Sequence, residues 1–167
     1  MNIAIVIPAY NEKDNILKLV TEISKRLNES EIVIVDDSKE DKISELIRDF
    51  KNIKYVFRGK KLGRGSAVLE GLDYLINNSQ AEIFIEMDAD YSHDPLELKK
   101  NLVLHKENNY DLLISSRYLK KSKIINWPIS RRIFSFLANK LARFLLGVPI
   151  SDYTNGYRFY SKNAVKH

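Results

Sequence analysis

Glu82-Ile83-Phe84-Ile85-Glu86-Met87 runs directly into Asp88-Ala89-Asp90-Tyr91-Ser92-His93-Asp94-Pro95. The first six residues read as a strand of the buried, parallel kind. Asp88 and Asp90, one residue apart at its carboxyl end, point the same way and can share one hard cation. Asp94 is placed to cap the following helix, with Pro95 in its first turn. Such a pair suits a divalent ion that carries a phosphate-bearing ligand.

Working outward, strands and helices alternate. Ile3 to Ile7 is wholly apolar, as is Ile32 to Val35, and Ile53 to Phe57 reads as a third strand. Apolar residues at Ile16, Leu19, Val20, Ile23 and Leu27 fall at helical spacing. Ser38 and Asp41 resemble a capping box ahead of a helix that buries Ile43, Leu46, Ile47 and Phe50. A further helix from about Ser66 to Asn77 is expected to bury Val68, Leu69, Leu72 and Ile76, with Gly71 permitting close packing. Pro95 to about Asn108 is helical, and Asp111 to Ser115 is a fifth strand. This pattern predicts an α/β fold with a mostly parallel sheet flanked by helices. Ligands of such sheets bind at the carboxyl ends of the strands. Tyr10, Asn11, Glu12, Asp36, Asp37, Asp88, Asp90 and Arg117 all fall there.

Pro128 opens a long helix to Gly147, with Ile129, Ile133, Phe136, Leu137, Leu141, Phe144 and Leu145 on one side and Arg131, Arg132, Lys140 and Arg143 as its charge. It reads either as a core helix with a solvated face or as a helix near a membrane, its arginines meeting lipid phosphates.

Composition narrows the classes. The 167 residues, 44% hydrophobic and 29% charged, suit one globular domain. There is no cysteine, which excludes disulfides and thiolate metal sites, and His93, His105 and His167 lack zinc-ligand spacing. No apolar run approaches the ~20 residues needed to span a bilayer, and no signal peptide precedes the first strand, so a cytoplasmic location is expected. The net charge of +5 is locally concentrated, at Lys60, Lys61 and Arg64 and again at Lys120, Lys121, Lys123, Arg131 and Arg132. Base-stacking aromatics are not interleaved there, which disfavours nucleic acid.

The motifs extend the reading. In Pro8-Ala9-Tyr10-Asn11-Glu12, tyrosine can stack on a base and glutamate can accept from a ribose hydroxyl, or the stretch is a plain turn and helix cap. Asp36-Asp37-Ser38 offers acceptors to the same ligand, or only helix-capping charge. Lys60 to Ser66 opens a helix and could cradle phosphate with backbone amides. It lacks the Gly-Lys-Ser/Thr ending of a phosphate-binding NTPase loop and follows no Rossmann first strand. A cation beside Asp88 and Asp90 would be magnesium or manganese, since the ligands are oxygens only.

Pro8 to Glu12, Val35-Asp36-Asp37, Leu62-Gly63, Met87 to Asp90 with Ser92-His93, Ser116-Arg117-Tyr118, Trp127 with Arg131 and Ser135, and Asp152-x-Thr154-x-Gly156-x-Arg158 occur in order. Together they resemble the inverting GT-A glycosyltransferases of the dolichyl-phosphate mannose synthase type, over essentially the whole chain. The resemblance implies one catalytic domain over residues 1–167, with a GT-A (Rossmann-like) sheet. It implies that Pro8, Tyr10, Glu12, Val35, Asp37, Asp88, Ala89, Asp90 and Arg117 bind the donor, GDP-mannose in preference to UDP-glucose. Asp88 and Asp90 would hold Mg2+ or Mn2+, and Arg117, Arg131 and Ser135 the phosphate of a polyprenyl or dolichyl acceptor. Asp90, Arg117 and Asp152 are the catalytic candidates, Asp152 either as a base or, equally with Arg158, as a residue ordering the acceptor loop. Contact would be peripheral, on the cytoplasmic face of the membrane.

Members of this type continue past the Gly-x-Arg motif into a further strand, a helix and a late basic segment, and some add transmembrane helices. The chain is therefore expected to be truncated relative to them. Two alternatives follow: a catalytically silent sugar-nucleotide-binding subunit, or a soluble transferase acting on a sugar hydroxyl, which would need a base. A sugar-1-phosphate nucleotidyltransferase is disfavoured, because Pro8 to Glu12 stands where its glycine-rich, lysine-bearing loop belongs.

Overall fold

Ile3, Ile5 and Ile7 face one side of a six-stranded sheet and Ala4 and Val6 the other, as period-two alternation requires. The computed structural model describes residues 2–119, 122 and 128–166, and for Arg131 the backbone alone. Trp127, Lys120, Lys121 and Lys123 lie outside the described residues. In chain order the elements are β1 (Ile3–Ala9), α1 (Lys13–Arg26), β2 (Glu31–Asp36), α2 (Ser44–Ile47), β3 (Ile53–Phe57), α3 (Arg64–Asn78) and β4 (Ile83–Glu86). A 3-10 turn (Pro95–Glu97) then leads into α4 (Leu98–Glu107), β5 (Leu112–Ile114), α5 (Ile129–Leu146), β6 (Arg158–Ser161) and α6 (Lys162–Lys166).

The strand order is β3-β2-β1-β4-β6-β5. β1 pairs in parallel with β2 and β4, and β2 with β3. β6 enters antiparallel to β4, which makes the sheet mixed, and periodicity had not marked it as a strand. The chain divides into two compact units, residues 1–113 with 157–167, and residues 114–156.

In the first unit, two apolar layers cover the sheet. Ile16, Leu19, Val20 and Ile23 of α1 and Leu98 and Leu102 of α4 pack with the odd residues of β1. Ala67, Val68 and Leu75 of α3 pack with the even ones. Each such isoleucine, valine or leucine contributes about 1.5–3 kcal/mol on burial. Small residues on the α3 side let that helix approach closely. A Cβ added at Gly71 would collide with Val6 and crowd Val35. The expectation that α3 buries Leu69 is corrected: Leu69 is exposed, and Gly71 and Leu75 take the inner face.

Asp94 caps as expected, its carboxylate accepting from the Leu96 amide at 2.9 Å with Pro95 in the first turn. The capping box at Ser38 does not form. Asp41 itself accepts from the Ile43 and Ser44 amides (3.2 and 3.0 Å), while Ser38 Oγ donates to Asp36 and accepts from the Asn11 amide.

In the second unit, α5 is reversed from the core-helix expectation. Its buried side chains are polar, Ser135 and Asn139, while Ile133, Phe134, Leu137, Leu141, Phe144 and Leu145 are exposed. Gly147, in the left-handed conformation at φ +67°, closes the helix.

Candidate functional site

The carboxyl ends of β1 and β4 and the loops after β2 and β3 surround one cleft of about 310 Å³ in the first unit. Pro8, Tyr10, Glu12, Asp37, Asp88, Ala89 and Asp90 line it, with Lys61, Gly63 and Arg64. The parallel register explains the convergence: Ala9 stands beside Asp36, and Val6 beside Glu86. The donor-site candidates of this unit therefore meet, apart from Val35. Its side chain is fully buried in the α3-facing core and is not among the residues lining the cleft.

The first loop is shaped by Asn11, whose φ of +61° lies in the left-handed region that asparagine tolerates. Its amide donates to Ser38 Oγ at 2.8 Å, tying the β1 and β2 loops together. Glu12 accepts from Asn15 Nδ2 at 2.7 Å, and its backbone carbonyl starts α1. Lys61 Nζ lies 4.2 Å from the centre of the Tyr10 ring.

Asp36 and Asp37 are both committed to the chain's own donors. Asp36, fully buried, accepts from Ser38 and from Tyr55 Oη. Burial and then this carboxylate push the Tyr55 phenol up. Asp37 receives Arg58 on one oxygen and the Leu62 and Gly63 amides (2.9 and 2.7 Å) on the other. These bonds take up two amides, Leu62 and Gly63, of the Lys60 to Ser66 loop that could cradle phosphate. They fix the loop, with Gly63 at φ +98°, which only glycine adopts without strain.

Asp88 and Asp90 differ in surroundings. Asp88 Oδ1 accepts from Arg64 Nε (2.7 Å) and Nη2 (2.6 Å), and Oδ2 lies 3.6 Å from His93 Nε2. The Asp88 amide points at His93 Nδ1, 2.9 Å away. The His93 ring is held by stacking on Tyr157, with centroids 4.9 Å apart. Asp90 Oδ1 accepts from the Ser92 amide at 2.9 Å. Burial alone would raise the Asp90 carboxyl, but its bonds to Ser92 and the nearby His93 outweigh it and hold the group below its ordinary value. Behind this pair, Glu86 is buried between Arg64 Nη1 (2.6 Å) and Tyr160 Oη (2.8 Å). Among the described residues, no group of three or more histidine, aspartate or glutamate side chains is placed to hold a metal ion.

The second unit contains its own polar cluster. Arg117 grips the fully buried Asp152 at two points, Nε to Oδ2 and Nη2 to Oδ1, each 2.8 Å, and its amide adds a bond of 3.0 Å. Arg117 Nη2 also donates to Thr154 Oγ1 at 2.6 Å. Thr154 lies 3.0 Å from Ser135 Oγ, which accepts from Tyr118 Oη at 2.8 Å. Asn139 closes the cluster by accepting from the Tyr153 amide at 2.6 Å. Burial would raise the Asp152 carboxyl, but Arg117 and Thr154 outweigh it and lower it. An ionised carboxylate with both oxygens taken is a poor proton acceptor. Of the two roles read for Asp152, this geometry favours ordering over base catalysis. Arg131, the third acceptor candidate, has its backbone in α5, and its side chain lies outside the described residues.

No individual site role attaches to Arg64, Lys61, Glu86, Asn139 or Thr154 in the sequence. Thr154 stood inside a quoted motif, and Arg64 and Lys61 in the basic loop. Glu86 and Asn139 carried no local signal.

The family model for glycosyl transferase family 2 matches residues 4–167. The chain is 35% identical over 167 residues to the polyprenol monophosphomannose synthase of Mycolicibacterium smegmatis, covering 97% of this chain and 62% of that protein. It is 32% identical over 173 residues to the dolichol-phosphate mannosyltransferase of Pyrococcus furiosus, covering 99% and 48%. It thus spans about half to two thirds of the length of these relatives. Among solved structures, the glucosyl-3-phosphoglycerate synthase of Mycobacterium tuberculosis, in complex with Mn2+, UDP and phosphoglyceric acid, superposes with a TM-score of 0.68. That match has 20% identity and covers 97% of this chain and 56% of the other, a likeness of fold. A GT-A-type sheet with its acidic pair at the end of β4, and a family match running nearly end to end, agree: the chain belongs to glycosyl transferase family 2.

Proposed function

We propose that the chain is the catalytic domain, over residues 1–167, of an inverting glycosyltransferase. It moves a sugar from a nucleotide donor to a polyprenyl or dolichyl phosphate. GDP-mannose is the preferred donor and UDP-glucose the alternative. The observation that carries this reading is the single cleft that gathers Tyr10, Glu12, Asp37, Asp88 and Asp90. The mannosyltransferase names of the relatives favour mannose and a lipid phosphate.

Tyr10 offers its half-exposed ring to the base, and Glu12 its carboxylate to the ribose. Asp37 acts indirectly by holding the Leu62-Gly63 turn that forms one wall. Asp88 and Asp90 fit Mg2+ or Mn2+: they are oxygen donors on one cleft wall, Asp90 is held ionised, and Asp88 already binds a cationic side chain. Such an ion, when bound, would offset the charge that develops on the departing diphosphate.

Arg117, Arg131 and Ser135 receive the acceptor phosphate, and Asp152 orients Arg117. An ionised phosphate oxygen attacks the anomeric carbon as its bond to the diphosphate breaks. No proton has to be removed, so the occupied state of Asp152 is no obstacle. The exposed apolar residues of α5, with Arg132, Lys140 and Arg143 beside them and no acidic residue in the helix, suit peripheral contact with the cytoplasmic face of an anionic membrane. Among the described residues no helix is long and apolar enough to cross a membrane.

The test is transfer of labelled mannose from GDP-mannose to a polyprenyl phosphate in the presence of Mg2+ or Mn2+. Nucleotide binding without transfer to any lipid phosphate would overturn the proposal in favour of a silent binding subunit. Transfer to a sugar hydroxyl that depends on Asp152 would overturn the acceptor.

A further inference from the structure

Arg64 joins two carboxylates of unlike character. Glu86 lies inside the sheet, 2% exposed, with Tyr160 on its second oxygen; burial and then Glu86 push the Tyr160 phenol up to about 12. A buried carboxylate of this kind needs a lasting cationic partner. Arg64 Nη1 provides it at 2.6 Å. The other edge of the same guanidinium, Nε and Nη2, faces Asp88 Oδ1 at the cleft wall, where Asp88 is 26% and Arg64 43% exposed. The inner contact is shielded from water and the outer one is not. A fork with one fixed and one exchangeable edge can let go of Asp88 without leaving the site.

We propose that Arg64 is a built-in placeholder for the divalent ion. It occupies Asp88 while the cleft is empty, then yields that carboxylate to the ion. Held by Glu86, it turns its freed edge to the donor diphosphate. This deepens the metal-assisted reading above and rests on it. The cation and the guanidinium are drawn to the same carboxylate, and their like charges repel in the absence of nucleotide. Once a diphosphate is bound, its charge accommodates both. The acidic pair is thus screened when no substrate is present, and ion and donor bind together.

The test uses the full chain and reads binding rather than turnover. Mn2+ affinity is measured by electron paramagnetic resonance of the free ion without nucleotide, and then GDP and UDP affinities are measured at saturating Mn2+. Arg64→Gln is expected to bind Mn2+ about three- to tenfold tighter than the parent and the nucleotide weaker by a similar factor, the scale of one half-exposed forked pair. Opposite signs on the two ligands are the signature, since a simple structural brace would weaken both. A cooperatively melting Arg64→Gln that binds Mn2+ no tighter, or the nucleotide no weaker, overturns the proposal. Should that variant not fold, Arg64→Lys decides. It keeps the charge but loses the fork, and about twofold tighter Mn2+ is expected; unchanged or weaker binding overturns the idea. If neither parent nor variants bind Mn2+ even with GDP or UDP present, the metal reading itself falls, and the placeholder with it.

Discussion

Arg117 and Asp152 meet edge to edge, with two bonds of 2.8 Å and a third from the Arg117 amide to the same carboxylate. The pairing fixes the plane of the guanidinium, so what Asp152 controls is direction. Asp152→Asn should lower sugar transfer at least about 100-fold, mostly through a raised KM for the lipid phosphate, at the scale of a misplaced clamp. A buried pair broken on one side also costs about 3 kcal/mol of stability. Denaturant midpoints and separate KM and kcat values check both, and a loss confined to kcat would restore Asp152 as a base.

The same pair gives a pH dependence. Asp152 is held below its ordinary 3.8, so its stabilisation is complete above that value and disappears as the pH falls through the lowered one. Acid unfolding of Asp152→Asn should therefore be flatter below about pH 4 than that of the parent, as followed by circular dichroism.

His105 gives a second pH window. Burial lowers it from the ordinary 6.5, Asp111 only partly opposing, and Nε2 has no partner. Below about pH 6.5 the unfolded chain takes up a proton that the folded chain resists, so stability falls as pH falls. Thermal melts at pH 7 and pH 5 should show a drop in Tm for the parent, and a smaller one for His105→Leu.

Gly71→Ala should destabilise the first unit by about 1–3 kcal/mol, since its methyl group would collide with Val6 in a packed layer. A urea titration measures this, and an unchanged midpoint would mean that α3 can move away from β1 at no cost.

Asp90→Ala should abolish metal-dependent transfer, and a chelator should do the same to the parent. Near-normal transfer in either case would remove the metal from the mechanism. Membrane contact is tested separately. Phe134→Ser combined with Phe144→Ser should reduce co-sedimentation with anionic vesicles several-fold, since two large exposed rings are lost.

The alternation from β1 to α4 was legible because each strand is an apolar run and each helix has a regular stripe. The convergence of Tyr10, Glu12, Asp37, Asp88 and Asp90 followed from parallel strands sharing one end. β6 was not legible: Arg158 to Ser161 is short, and Phe159 is its one fully buried side chain. Leu69 misled because apolar spacing also admits a face turned by one position, and the contact between Gly71 and Val6 selects the other. Glu86 carried no local signal because its partners, Arg64 and Tyr160, lie far along the chain. For α5 the stripe was legible and its side was left open between core and membrane surface, since periodicity says which residues share a face and not which face points inward; the structure turns it outward.

That inversion of α5 has a mechanical consequence. Ser135 and Asn139 attach the helix by hydrogen bonds, which are directional but worth only about 0.5–1.5 kcal/mol each. The larger, non-directional contribution that apolar side chains could make is left on the outer surface. A layer that covers Phe134, Leu141 and Phe144 would add that contribution on the face away from Ser135 and Asn139. The helix is thus held by directional bonds on one face and open to apolar burial on the other.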